Sequence, residues 1–196
     1  MSLILASGSA ARRRMLAAAG LSFEAIAPNV DEEAAKLGLR AAGLSPRDQA
    51  DALAELKALS VSRRRGGYVI GADQMLSVEG EVLDKPSDLG EARTHLVKLR
   101  GKTHELVTAA VIARDGAVIW RHIDTPRLKM RAFSDAFLEE YLARAGESAL
   151  ASVGAYQLEG LGAHLFERVE GDYFSVLGLP LLPLLALLRA HGLAPS

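Results

Sequence analysis

The sequence predicts an α/β domain built on a mixed β-sheet flanked by helices. Three observations lead there. Short apolar runs at 3–6 and 68–72 suit strands covered on both faces. Helical patterns lie between such runs, and a strong hairpin signal, Asp115-Gly116, interrupts the alternation. The 196 residues suffice for one well-buried domain, 1–196, with no repeat, low-complexity tract or linker to divide them.

Leu3-Ile4-Leu5-Ala6 is a strand, and Ser7-Gly8-Ser9 turns it into a helix over 12–19 that Gly20 stops. Residues 23–27 form a second strand. Ser45 caps a helix with Pro46 at its first position, running to about residue 65 before Gly66-Gly67. Arg63, Arg64 and Arg65 then occupy its last turn, where cations complement the dipole. The run 68–72 is a strand that delivers Asp73 at its end, and 74–78 continues extended to a Glu79-Gly80 turn. Residues 91–99 are helical, and 104–113 and 117–124 make the hairpin. Ser134 caps a helix over 135–144, and 165–169 is a late strand before Gly171-Asp172. The apolar stretch 176–188 contains two prolines and falls short of the roughly 20 residues a membrane span needs, so it is predicted as a buried helix.

Composition removes several function classes. Hydrophobic residues at 49% and charged residues at 24% describe an ordinary globular protein. A net charge of −1 offers nucleic acid no general attraction, so no stable nucleic-acid partner is expected. The absence of cysteine rules out disulfides and thiolate metal sites. The first residues lack a basic leader and a long apolar core, so a cytoplasmic protein with no membrane partner is expected.

Arg12, Arg13 and Arg14 stand at a helix start, where the macrodipole already places partial positive charge. Such stacking destabilises unless an anion lies opposite, or the arginines are solvated or paired elsewhere. A strand, a Ser/Gly turn and a basic first turn together describe a phosphate pocket. Free backbone N–H groups, the hydroxyls of Ser7 and Ser9 and the guanidinium forks of Arg12 and Arg13 would meet the same oxygens. No Gly-Lys-Ser/Thr follows Gly8, so this is not a Walker loop.

Asp73 lies where ligand crevices form in α/β sheets, and could bind a divalent metal, take a proton from water, or simply turn the chain. Lys85, in Asp84-Lys85-Pro86, is either a point charge for phosphate or a solvated loop lysine. Asp31-Glu32-Glu33 either shares a metal with Asp73 or begins a helix. The glycine-rich stretch 152–162 would let backbone approach a flat ligand, with Glu159 accepting from a base, or is a surface loop with a solvated glutamate. The five histidines show no metal spacing, and no Gly-x-Ser-x-Gly elbow is present.

Five blocks, taken in order, carry a family likeness: Leu5-Ala6-Ser7-Gly8-Ser9 with its arginines, Ile70-Gly71-Ala72-Asp73-Gln74, Asp84-Lys85-Pro86, Gly154-Ala155-Tyr156-Gln157-Leu158-Glu159-Gly160, and the run from Gly171-Asp172 to Leu179-Pro180. The ordered set resembles the Maf family of nucleoside triphosphate pyrophosphatases over nearly the whole chain. The resemblance implies a Maf/ITPase-like fold, two lobes with a central cleft. It also implies a hydrolase of the α–β phosphoanhydride that yields a nucleoside monophosphate and pyrophosphate with Mg2+ or Mn2+, in a house-cleaning role.

Carried over by motif, it gives Ser7, Ser9, Arg12, Arg13 and Lys57 to the substrate phosphates. Glu32, Asp73 and Lys85 go to catalysis, with Glu32 and Asp73 on the metal and Asp73 as proton acceptor. Three positions bear on the base. Gln74 and Glu159 are similar to the branch favouring 7-methyl-GTP, whereas the branch preferring dTTP and UTP has Thr and Gln there. Ala11 matches neither branch, which carry tryptophan and arginine respectively. Two other readings fit the same residues: a non-catalytic nucleotide- or nucleic-acid-binding regulator of cell division, and a phosphatase or kinase acting at the terminal phosphate. The apolar residues of the hairpin and C-terminal helix suit a homodimer interface or burial within one chain equally well.

Overall fold

Strand β1 (Leu3–Ala6) is buried along its whole length and pairs parallel with β2 (Glu24–Ala25) on one side and β3 (Tyr68–Val78) on the other. The structure is a computed structural model and describes residues 2–195. The remaining strands are β4 (Glu81–Leu83), β5 (Thr103–Arg114), β6 (Ala117–Asp124), β7 (Arg127–Met130) and β8 (Phe166–Glu170). The helices are α1 (Ala10–Ala18), α2 (Glu32–Ala41), α3 (Pro46–Ser62), α4 (Leu89–Leu99), α5 (Asp135–Ala145), α6 (Tyr173–Val176) and α7 (Leu181–Ala190). Hydrogen bonds order the strands β2-β1-β3-β5-β7-β8, with β4 added to β3 and β6 to β5. Parallel and antiparallel pairs share this sheet, which is the mixed α/β class the sequence predicts.

The chain divides into two compact units. The first comprises Met1–Gln74, Thr108–Asp124 and Asp172–Ser196. Its sheet is covered on both faces. Leu3, Leu5, Tyr68, Ile70 and Ala72 face a core completed by Met15 and Leu16 of α1 and Leu181, Leu184 and Leu188 of α7. Ile4, Ala6 and Val69 point the other way and meet Val61 of α3. Strand alternation therefore turns Gly71 and Asp73 toward α3 as well. The second unit, Met75–Val107 and Thr125–Gly171, contains β4, β7, β8, α4 and α5. It buries Leu96 and Leu99 of α4, Leu128 and Met130 of β7, and Leu138 of α5.

Local chemistry sets most boundaries. Ser9, Ser45, Asp88 and Ser134 each cap a helix by accepting from a backbone N–H three residues on. Asp115 and Gly116 both take positive φ, 51° and 79°, as the tight hairpin turn requires. Several expectations need correction. Asp73 lies within β3 rather than at its end, because the strand exchanges partners: β1 pairing stops at Gly71 and β4 pairing begins at Leu76. Helix α3 ends at Ser62, so the three arginines follow it instead of filling its last turn. Arg64 still reaches back to the Ser60 carbonyl at 3.0 Å, while Arg65 pairs with Glu24 at 2.7 Å. The second strand shrinks to two residues. The C-terminal apolar stretch is two helices, α6 and α7, interrupted at Gly178, whose φ of +103° no helix accommodates.

Candidate active site

In the first unit the structure gathers Ser7, Ser9, Arg12, Glu32, Lys57, Asp73 and Gln74. The β1–α1 turn sets the first three. Ser9 Oγ caps α1 by accepting from the Arg12 backbone N–H at 3.3 Å, and Ser7 Oγ accepts from the Ser9 N–H at 3.2 Å. Arg12 is buried, and its Nη1 also donates to Ser7 Oγ at 3.3 Å. Both serine hydroxyls thus spend acceptor capacity inside the protein, and each retains an O–H to donate to an anion.

Arg12 and Arg13 point in different directions. Consecutive helical residues point about 100° apart, so Arg12 turns inward while Arg13 and Arg14 are exposed. Arg12 Nε donates to the Gly178 carbonyl at 2.7 Å, spanning 166 positions of sequence. Burial pushes the Arg12 guanidinium below its ordinary pKa, and the carboxylates of Asp73 and Glu32 pull it back up. The positive turn and the acidic pair therefore feel one another within the same unit.

Lys57 joins the two acids. Its ammonium lies 2.7 Å from Asp73 Oδ1 and 2.8 Å from Glu32 Oε2. The side chains of Lys57 and Asp73 are 7% and 10% exposed, so this pairing is largely desolvated, whereas Glu32 reaches solvent at 42%. The geometry follows from α3. Ala50, Ala54, Lys57, Ala58 and Val61 form its buried stripe at helical spacing, so a lysine takes a place that an apolar residue would ordinarily hold. Glu32 arrives on the first turn of α2, capped by Asp31 Oδ1 accepting from Ala34 N at 3.0 Å. The cluster begins a helix, as one sequence reading has it, and the same turn brings the Glu32 carboxylate to Lys57.

Gln74 follows Asp73 and points to the opposite face. Its Nε2 donates to Thr108 Oγ1 at 2.8 Å and to the carbonyls of Ser175 and Val176 at 2.9 and 3.1 Å. Thr108 Oγ1 donates in turn to Ser175 O at 2.8 Å, and Ser175 Oγ donates to Asp124 Oδ2 at 2.7 Å. The amide N–H groups of Gln74 are therefore spent on the protein, and Oε1 remains toward Gly178. Thr108 and Asp124 were not singled out from sequence, and Ser175 and Gly178 entered only as members of the block 171–180. For Thr108 the signal was a polar residue inside an otherwise apolar run of strand β5.

Lys85 and Glu159 belong to the second unit. Lys85 is exposed between β4 and α4, ahead of the buried Pro86. Glu159 is exposed in a turn closed by Gly160 N donating to Gln157 O at 3.2 Å. Two of the glycines around it are needed for packing within the protein. A Cβ on Gly154 would lie 2.5 Å from Leu76 Cδ1, and one on Gly162 would lie 2.5 Å from Gln157 O. Ala11 is half-buried on the first turn of α1.

Among the described residues no cluster of three or more His, Asp or Glu side chains is arranged to hold a metal ion. The donor set that exists is the Asp73 and Glu32 carboxylates, both within hydrogen-bond reach of one ammonium. Such a pair fits Mg2+ or Mn2+, because magnesium is commonly held by one or two carboxylates and completes its shell with waters and substrate phosphates.

Comparison with known proteins gives the family. The profile of the Maf-like protein family matches residues 2–191. The chain is 55% identical over 188 residues to a nucleoside triphosphate pyrophosphatase of Caulobacter vibrioides, covering 96% of this chain and 94% of that one. It is 54% identical over 196 residues to a nucleoside triphosphate pyrophosphatase of Hyphomonas neptunium, covering 100% and 99%. It is 53% identical over 191 residues to a 7-methyl-GTP pyrophosphatase of Mesorhizobium japonicum, covering 97% and 96%. With the family profile and relatives of more than half identity spanning almost every residue, the chain belongs to the family of Maf-like proteins.

Proposed function

We propose that this protein is a nucleoside triphosphate pyrophosphatase, cleaving the α–β phosphoanhydride to release a nucleoside monophosphate and pyrophosphate. The observation that carries the reading is the meeting of a buried arginine, a buried lysine and two carboxylates beside a serine-lined turn at a helix start. Phosphoryl transfer asks a protein mainly to position water and neutralise charge, and these groups supply both functions without a covalent nucleophile.

Ser7 and Ser9 donate O–H to phosphate oxygens, and Arg12 offers the guanidinium hydrogens not used on Gly178 and Ser7. Asp73 Oδ1 is tied to Lys57, which leaves Oδ2 to orient a water and accept its proton as the water oxygen bonds to the α-phosphorus. The bond from that phosphorus to the bridging oxygen breaks, and its electrons leave with pyrophosphate. Asp73 and Glu32 would hold a divalent cation, which when bound polarises the phosphoryl group and offsets its charge. The motif Asp84-Lys85-Pro86 makes Lys85 the lysine for the leaving group's charge, and the reaction serves the cytoplasmic nucleotide pool.

For the base, Glu159 is the reading residue, since a carboxylate accepts from N1–H and the 2-amino group of guanine and offsets the charge of a 7-methylated ring. Gln74 contributes only its carbonyl oxygen, its N–H groups being engaged. The deciding experiment is product analysis with a panel of ordinary and 7-methylated triphosphates in Mg2+. Monophosphate plus pyrophosphate is expected. Diphosphate plus phosphate, or no product from any member of the panel, overturns the reading.

A further inference from the structure

We propose that the Lys57 ammonium is the resident counter-ion of the Asp73 and Glu32 carboxylates, so that a divalent cation enters only as an arriving polyphosphate draws that ammonium away, and metal and nucleotide bind as one coupled event. The inference deepens the pyrophosphatase reading and rests on it. Its basis is the position of one side chain. Lys57 Nζ touches both carboxylates at 2.7 and 2.8 Å, which is where a cation shared by them would bind.

Charge and mobility support it. Arg12 and Lys57 against Asp73 and Glu32 sum to zero, so the resting group has no uncompensated negative charge to attract a free metal ion. A divalent cation added beside the ammonium would meet strong repulsion, because the Lys57 and Asp73 side chains are largely shielded from water. The two cations of the site also differ in freedom. Arg12 is anchored through Nε to Gly178 O and through Nη1 to Ser7 Oγ. Lys57 is a point charge on a flexible four-carbon stem, and among the described residues its ammonium bonds only the two carboxylates, so it can be redirected while α3 stays in place. A polyphosphate supplies the alternative anion, and the carboxylates it frees supply the metal ligands. By thermodynamic linkage each ligand then tightens the other by the same factor.

The test uses the full-length, nucleotide-free protein and Mn2+ alone, read by electron paramagnetic resonance of the free ion. Lys57→Met should bind Mn2+ at least tenfold more tightly than the parent, and its melting temperature should rise more on adding Mn2+. Adding Glu32→Gln to that variant should remove the gain. An unchanged or weakened Mn2+ affinity in folded Lys57→Met overturns the proposal. If the methionine variant folds only with Mn2+ present, the proposal is supported. If it does not fold at all, Lys57→Gln, whose amide can still donate to the carboxylates, carries the same expectation and the same rejection. Pyrophosphate release by the parent is scored separately. Release without the Mn2+ gain rejects the counter-ion role alone, and the gain without release rejects the hydrolytic reading alone.

Discussion

At the residue scale, Asp73 and Arg12 show how a side chain is assigned by what its other atoms are doing. Asp73 has one oxygen committed to Lys57, so Asp73→Asn keeps an acceptor there but loses the base. Turnover should fall by roughly 10²–10⁴-fold, with far-ultraviolet circular dichroism unchanged. A variant releasing pyrophosphate at the parental rate would remove Asp73 from the mechanism. Arg12 uses separate nitrogens for Gly178 and Ser7, a fork that lysine cannot reproduce. Arg12→Lys should therefore raise KM about tenfold or more, consistent with the ~1.5–3 kcal/mol of a hydrogen bond to a charged group, while Arg13→Lys, altering an exposed position, should change it little.

His104 gives a pH prediction at the same scale. Burial pushes its imidazole down from 6.5 to about 4, with Nε2 2.7 Å from the Tyr156 hydroxyl and Nδ1 buried without a partner among the described residues. Between those two pH values the unfolded chain binds more protons than the folded one, so stability rises with pH across that interval. The contribution is complete above pH 6.5 and is lost as pH falls toward 4, amounting to roughly 3 kcal/mol at about 1.4 kcal/mol per unit. The melting temperature of His104→Gln should depend less steeply on pH over that window. An identical slope in parent and variant would show that another group sets the acid limit.

At the element scale, the contact of α3 with β3 is what makes the site. Gly71 explains why: a Cβ there would lie 2.2 Å from the Ala54 carbonyl oxygen and 2.6 Å from the Ala58 backbone nitrogen. Only a bare Cα lets the helix backbone come close enough for Lys57 to reach Asp73. Gly71→Ala must push α3 off the sheet, an overpacking that costs about 1–3 kcal/mol or more. Because the shift separates Lys57 from Asp73, activity should fall further than the melting temperature alone accounts for. Full activity in a destabilised Gly71→Ala would show that the helix position is not critical. The C-terminal segment is held comparably, with Gln74 bonding the Ser175 and Val176 carbonyls and Arg12 that of Gly178. That is the physical content of a glycine between α6 and α7.

At the scale of the whole molecule, charge is neutralised locally. Arg65 pairs with Glu24, Arg93 with Glu139, Arg121 with Asp51 and Glu55, Arg144 with Glu140, and Arg168 with Glu170. With a net charge of −1 and so many cations paired, little remains to release counterions from a nucleic-acid backbone. A random 30-base-pair duplex should show no retardation in a mobility gel at about 150 mM salt, a condition where non-specific complexes already weaken steeply. Retention of the duplex would reopen the regulatory alternative. The edge strand β8 carries Glu167, Arg168 and Glu170 on its exposed length, which discourages strand addition by another chain.

The sequence by itself determined the local structure and the chemical inventory. Serine and aspartate caps, the Asp115-Gly116 turn and the apolar runs of β1 and β3 depend on neighbours a few residues away, so their physics is present in any short window. The Ser7-Gly8-Ser9 turn and the basic start of α1 were legible for the same reason. Only the tertiary structure decided which of those groups meet. It turned Arg12 inward and Arg13 outward, set Lys57 between Glu32 and Asp73, and spent the Gln74 amide on a segment about 100 residues further along the chain. Such contacts depend on the sheet order and on the approach of α3 to β3, where a glycine's missing Cβ matters more than any local preference.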